Sequence, residues 1–154
     1  MLEHRGWLAD ADLVDLYAGS GALGIEALSR GARSVVFVES SPGAVRALRS
    51  NLAACDLADR AEVVPASVER ALRLLARRGA RADGVMADPP YRRGVVQPLV
   101  DMLARGVLLA SAGWVAIEHA PEETPDPRPG LDRVLCRRHG GTAVSLFQRS
   151  EMPA

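Results

Sequence analysis

Lysine is absent from this chain. All 19 basic residues are arginine, and 19 acids bring the formal net charge to zero. No overall positive field marks the protein for nucleic acid, so any grip on phosphates has to come from a local group of arginines. The bias towards arginine itself reads as the composition of the source genome. Cysteine is scarce as well: Cys55 and Cys136 form no CxxC pair, which argues against a disulfide scaffold or a cysteine zinc site. His4, His119 and His139 are scattered without ligand spacing, and no metal is expected. No apolar run reaches the ~20 residues of a membrane span. The start, Met1 to Trp7, lacks the basic beginning and apolar middle of a secretion signal. A cytoplasmic monomer with no membrane partner is expected.

What is present describes a globular chain. Its 154 residues, 48% hydrophobic and 25% charged, suit one domain over 1–154 with a single core. Short β-rich runs alternate with helical ones. Leu13 to Tyr17 predicts a first strand, Ala22 to Arg30 a helix, and Ser34 to Val38 a second strand. Ser41-Pro42 predicts a capped helix start running to Ala54. Glu62 to Val64 is a third strand, followed by a helix from Ser67 to Arg78. Gly84 to Ala87, a helix over Val95 to Ala104, and Trp114 to Glu118 continue the alternation. Four prolines make Ala120 to Gly130 a loop, and Val134 to Arg137 with Ala143 to Phe147 predict a closing hairpin across Gly140-Gly141. Such β-α units imply an α/β fold, a mostly parallel sheet with helices on both faces and an antiparallel hairpin at its edge. Trp7 and Trp114 are assigned to packing.

Two stretches carry chemistry. Gly19-Ser20-Gly21-Ala22-Leu23-Gly24 fits G-x-G-x-x-G between a strand and a helix, and Glu39 ends the next strand 20 positions after Gly19. Glycines there permit a tight turn and close approach of a ligand, and an acid so placed accepts from ribose hydroxyls. The layout describes an adenosine-containing ligand, either a nicotinamide dinucleotide or S-adenosylmethionine. Asp15 tips the balance, because a carboxylate beside the loop suits an ammonium and a sulfonium and repels a pyrophosphate. A glycine turn without a ligand is the bland alternative.

The second stretch, Asp88-Pro89-Pro90-Tyr91, follows the fourth strand and so falls beside the crevice at the strands' carboxyl ends. An exocyclic amine on a nucleobase is a poor nucleophile, since its lone pair is delocalised into the ring. The Asp88 carboxylate and the Pro89 carbonyl can each hold one N–H and aim the lone pair at an electrophile. Pro89 and Pro90 stiffen the loop and offer no competing N–H, and Tyr91 can stack on a base. Taken alone, Asp-Pro-Pro is equally a plain strand-ending turn.

Asp15 to Gly31 resembles the opening motif of the bacterial 16S ribosomal RNA guanine-N2 methyltransferase family. Asp88 to Gly94 is similar to that family's catalytic loop, and Leu146 to Arg149 to its last strand. The resemblance spans 13–149, which would be the catalytic core, and implies a seven-stranded, Rossmann-like class I methyltransferase sheet. It implies S-adenosylmethionine as cofactor and a guanine of small-subunit ribosomal RNA, free or in an assembly particle, as target. By the resemblance Gly19, Gly21 and Glu39 would hold the cofactor, with Asp15 near its methionine part. Tyr17, Ala18, Ser20, Ser40, Ser67 and Asp88 complete the expected cofactor set. Asp88, Pro89, Pro90 and Tyr91 would hold and face the guanine amine, and Arg92 and Arg93 adjoin the loop as candidates for RNA phosphates. The other arginine pairs, Arg77-Arg78 and Arg137-Arg138, are expected to be ordinary surface.

Two departures stand out. Family members carry a basic segment ahead of the first strand that contacts RNA and closes over the cofactor. Here residues 1–12 alone precede that strand, and they are expected to be a remnant, from a start placed too late or a truncated gene. Many class I enzymes also place an acid or amide after the third strand for the adenine amine, whereas Pro65-Ala66-Ser67 offers only a hydroxyl and backbone groups. Rival readings are an adenine-N6 methyltransferase on DNA or RNA, an inactive S-adenosylmethionine-binding module, and a nucleotide-binding oxidoreductase. The last leaves Asp88 to Tyr91 without a use.

Overall fold

The computed structural model describes residues 6–151. Residues 1–5, including His4 and most of the Met1 to Trp7 start, lie outside them, as do residues 152–154. The expected remnant over 1–12 is therefore described only from Gly6 onward.

Seven strands form one sheet in the order β3-β2-β1-β4-β5-β7-β6. They are β1 (Asp12–Leu16), β2 (Ser34–Val38), β3 (Ala61–Val64), β4 (Ala82–Ala87), β5 (Leu109–His119), β6 (Leu131–His139) and β7 (Thr142–Arg149). The first five run parallel, and β7 pairs antiparallel with both β5 and β6. Four helices connect them: α1 (Ala22–Ser29), α2 (Pro42–Ala54), α3 (Val68–Arg77) and α4 (Val96–Arg105). The expected alternation is thus present, with helices on both faces. One apolar cluster joins Val14, Leu16, Val38, Val85 and Ile117 to α3 and α4. The other joins Leu13, Val35, Phe37, Met86 and Trp114 to α1 and α2. Strand alternation sends neighbouring residues to opposite faces, which is why β1 contributes to both cores.

The expected boundaries held in the first half and fell short in the second. β5 begins at Leu109, five residues ahead of the predicted Trp114, and its early part is half-exposed or exposed. There the apolar signal is diluted by Ala110, Ser111 and Ala112. Both hairpin strands are also longer than predicted, β6 because it is an exposed edge whose residues are mostly polar. Only Leu131 is buried and Leu135 half-buried along it. Trp7 stacks on Trp114 with ring centroids 5.5 Å apart, in keeping with the packing role expected of both.

The register positions the chemistry. Leu16, the last residue of β1, pairs with Val38 on one side and Ala87 on the other, and Ala87 pairs with Ile117. Tyr17, Glu39 and Asp88 therefore leave three adjacent strands at the level of Glu118, which lies near the end of β5. The strand order reverses between β1 and β4, and open α/β sheets place ligands in the crevice at such a point.

Candidate active site

The glycine loop is built from the backbone. Ala18 N–H donates to the Val38 carbonyl (3.0 Å) and Gly21 N–H to the Ala18 carbonyl (2.8 Å), closing the turn. Gly19 has a φ of +57°, and a Cβ there would enter open space over the loop. Gly24 serves packing: its Cβ would lie 2.3 Å from Phe37 Cε1, so only hydrogen lets α1 sit this close to the sheet. Asn51 on α2 donates from Nδ2 to the Ser20 carbonyl (3.0 Å), a support that the sequence did not announce.

Two carboxylates face this loop. Glu39 accepts from Gly19 N–H through Oε1 (2.9 Å) and from Ser41 N–H through Oε2 (2.8 Å), which fixes it at the end of β2. Ser41 stands at the expected N-cap of α2, but its side chain makes no capping bond. Asp15 is buried in β1 and accepts from Gly24 N–H through Oδ2 (3.0 Å). Its Oδ1 is buried without a partner. Burial pushes this carboxyl up to about 7, Gly24 N–H opposes the rise, and the charges of Asp88 and Glu39 add to it. An orphaned buried oxygen of this kind is a receptor for a cationic group.

Beyond Glu39 the crevice holds a cavity of about 200 Å³ lined by Tyr17, Glu39, Ser40, Ser67, Glu69 and Val95, among others. Tyr17 takes a φ of +56°, an uncommon conformation for a side-chain-bearing residue, as the chain turns from β1 into the loop. Ser67 serves two purposes. It lines this cavity and caps α3, its Oγ accepting from Arg70 N–H (3.3 Å). Glu69 and Val95 were not foreseen. Glu69 supplies an acid after β3, in the first turn of α3, where the tripeptide before it had none. A larger cavity of about 630 Å³ lies elsewhere, against the C-terminal end of α4 with Arg105, Arg128 and Arg149.

Asp88 begins the loop after β4, the expected catalytic loop. It is exposed overall, and among the described residues its carboxylate has no hydrogen-bond partner. Partial desolvation by the surrounding loop raises its pKa, and the Glu118 charge adds to this. Pro89 is buried, and its carbonyl takes no backbone hydrogen bond among those described. Tyr91 is half-buried, and its hydroxyl donates to Glu118 Oε1 (2.8 Å) and also contacts Thr142 Oγ1. Arg92 is not a free cation: its Nε binds Glu122 Oε1 at 2.6 Å. Arg93 is exposed and makes no ion pair among the described residues. Those residues also hold no group of three or more His, Cys, Asp or Glu side chains able to bind a metal. None of their helices is long and apolar enough to cross a membrane.

Comparison with known proteins places the chain in a family. The family model described as conserved hypothetical protein 95 matches residues 1–148. Ribosomal RNA small subunit methyltransferase D of Escherichia coli strain K12 is 37% identical over 148 residues, covering 93% of this chain and 73% of that protein. Bacillus subtilis YlbH, whose name proposes an rRNA methyltransferase, is 35% identical over 138 residues, covering 88% of this chain and 74% of that one. Among solved structures, Escherichia coli yhhF, whose name proposes a methyltransferase, superposes with a TM-score of 0.84 at 32% identity, covering 96% of this chain and 82% of that one. An RNA methyltransferase from Salinibacter ruber in complex with S-adenosylhomocysteine shares the fold at a TM-score of 0.75 and 20% identity, covering 99% and 90% of the two chains.

S-adenosylmethionine is the cofactor that this constellation serves, and the residues fit it. Glu39 keeps unused lone pairs for ribose hydroxyls, the open space over Gly19 admits a ligand against the backbone, and the orphaned Asp15 Oδ1 suits the methionine ammonium. Fold, site and relatives converge: the chain belongs to the conserved hypothetical protein 95 family, the family of ribosomal RNA small subunit methyltransferase D.

Proposed function

We propose that the chain transfers a methyl group from S-adenosylmethionine to the exocyclic N2 amine of a guanine in 16S ribosomal RNA. The observation that carries this is the unpartnered Asp88 carboxylate, set beside the Pro89 carbonyl at the level where β1, β2 and β4 open into the cofactor crevice. When bound, S-adenosylmethionine supplies an electrophilic methyl group on a sulfonium. The chain supplies orientation. Asp88 and the Pro89 carbonyl each accept one amine N–H, which turns the nitrogen lone pair towards the crevice. Positioning of this kind carries a large share of the rate. The Asp88 charge offsets the positive charge developing on nitrogen, and its raised pKa suits it to receive the surplus proton. Tyr91 offers its ring to the base. Glu69, at the adenosine end, is the candidate acceptor for the adenine amine.

The remaining assignments belong to the same proposal. Residues 13–149 form the catalytic core of a single domain, working as a cytoplasmic monomer on small-subunit RNA or its assembly particle. Arg93 is the better placed of the two loop arginines for a phosphate, because Arg92 is engaged by Glu122.

The test is direct. Purified chain, S-adenosylmethionine with a labelled methyl group, and 16S RNA or small-subunit particles from cells deleted for the enzyme are combined, and the nucleosides are separated. Label in N2-methylguanosine supports the proposal, label in N6-methyladenosine replaces guanine by adenine, and no label in any nucleoside refutes methyl transfer. Asp88→Ala should lower turnover by about 10³-fold or more while S-adenosylhomocysteine binding stays within twofold.

A further inference from the structure

The catalytic loop does not hold itself. Its backbone from Asp88 to Gly94 runs through two prolines and two residues of positive φ, Arg92 at +56° and Gly94 at +65°, and it belongs to no helix or strand. Arg92 carries a side chain in a left-handed conformation that L-residues with a Cβ adopt only against a steric cost. Compensation arrives from a segment about 30 residues further on. Glu123, in the 3-10 turn Pro121–Glu123, accepts from Arg92 N–H through Oε2 (2.8 Å) and from Gly94 N–H through Oε1 (3.4 Å). One carboxylate thus spans both left-handed residues. Its neighbour Glu122 takes the Arg92 guanidinium at Nε (2.6 Å). Glu118, at the end of β5, takes the Tyr91 hydroxyl (2.8 Å) and the Thr142 hydroxyl (3.1 Å) on the same oxygen. Three acids from one short stretch therefore grip Tyr91, Arg92 and Gly94 of the loop.

From this juxtaposition we infer that Glu118, Glu122 and Glu123 are positioning residues. They clamp the loop so that Asp88 and the Tyr91 ring point into the crevice. The division of labour follows from the geometry. Glu123 sets the backbone, through charge-assisted bonds to two loop amides. Glu118 sets the ring, because a tyrosine whose hydroxyl is anchored on β5 and β7 has lost the freedom to swing. Glu122 contributes least, since its pair with Arg92 is exposed on both sides. The clamp also assigns the Tyr91 hydroxyl: it faces protein, so the ring and not the hydroxyl is offered to substrate. This rests on the base-amine reading of the loop, and its test is arranged so that the two fail separately.

The experiment has a kinetic arm and a proteolytic arm, each run on Glu123→Ala, Glu123→Gln, Glu118→Ala and Glu118→Gln. Glu62→Ala, which removes the surface pair of Glu62 with Arg78 on the far edge of the sheet, is the control. On RNA substrate, Glu123→Ala should lose about 10–100-fold in kcat. Its KM should change little and S-adenosylhomocysteine affinity should stay within twofold. Glu123→Gln, which keeps one acceptor oxygen, should recover part of the loss. Glu118→Ala should lose severalfold and Glu118→Gln nearly nothing, as an amide oxygen still receives both hydroxyls. In the proteolytic arm, trypsin should cut after Arg92 or Arg93 at least about tenfold faster in Glu123→Ala than in wild type or Glu62→Ala, with other sites unchanged. Unaltered kcat together with unaltered cleavage at 92 and 93 overturns the clamp, as does a kcat loss that the glutamine variants fail to relieve. Should an alanine variant not fold, the glutamine variants decide through the same two readouts. If wild type methylates no RNA, the base-amine reading falls, while trypsin still reports whether the clamp exists.

Discussion

The two loops that meet at the reversal of strand order are held in opposite ways. The glycine loop is held mainly by backbone bonds and by acids at the ends of its own strands. Its turn closes on Ala18 and Val38, Glu39 accepts from Gly19 N–H, and Gly24 N–H ties the start of α1 to Asp15, with Asn51 of α2 as a more distant support. The Asp88–Gly94 loop, which carries the acid proposed to hold the amine, is instead fixed by side chains about 30 residues downstream, two of them on a proline-rich connection. The first is a rigid cradle made once by the fold. The second depends on a remote segment, so damage to that segment should reach the chemistry without touching the cofactor.

Substitutions can break or sharpen this contrast. The largest effect belongs to the cradle. Gly24→Ala would bring a Cβ to 2.3 Å from the buried Phe37 ring and 3.0 Å from Asp15 Oδ2, so α1 must shift off the sheet. Overpacking of this kind costs about 1–3 kcal/mol, visible as a lower Tm. S-adenosylhomocysteine affinity by calorimetry should fall with it, by about 10-fold or more. Equal affinity in the variant would show that the cradle tolerates displacement after all.

A smaller effect concerns Asp15, whose pKa is pushed up to about 7 by burial. Between the ordinary carboxylate range and about 7 the folded state holds a proton that the unfolded chain has released. Stability of the ligand-free protein therefore falls as pH rises through that window and levels off above it. Asp15→Asn removes the titration, so its Tm should exceed that of wild type above pH 8 and the difference should shrink towards pH 4. A constant gap across the range would contradict the assignment. The same proton links to the ligand: if the ammonium seats on Asp15, S-adenosylhomocysteine should bind wild type more tightly as Asp15 ionises, and Asp15→Asn should flatten that rise. Smallest is Ser67→Ala, which removes the α3 cap and should cost about 0.5–2 kcal/mol by denaturant titration while leaving kcat within severalfold.

The same contrast explains what the sequence made legible. The cradle could be read because its parts lie close together and each residue type has one purpose: glycines where a side chain would collide, an acid at a strand end. Asp88 could be placed beside the cradle because it follows the fourth strand, and open α/β sheets gather their crevice residues at the carboxyl ends of the strands. The clamp was invisible. Glu118 was read only as a strand end and Glu122 and Glu123 only as part of a proline-rich loop, since nothing in their spacing reveals partners on another connection. The ion pair of Arg92 with Glu122 was hidden for the same reason: an arginine beside such a loop looks free until its acid is seen. The strands β5 and β6 were shortened because a half-covered or open edge leaves little apolar alternation to detect.

That open edge has a consequence for how copies of the molecule meet. The sheet has two margins with unpaired ladder groups, and β3, at four residues, is too short to template much. β6 is nine residues long and nearly bare. Its Arg133, Arg137 and Arg138 put like charge along a stretch that could otherwise zip onto a second copy of itself, a common guard against fibre-like pairing. The guard works by repulsion and weakens as salt screens it, so crowding the protein in concentrated salt is where strand-to-strand aggregation would begin.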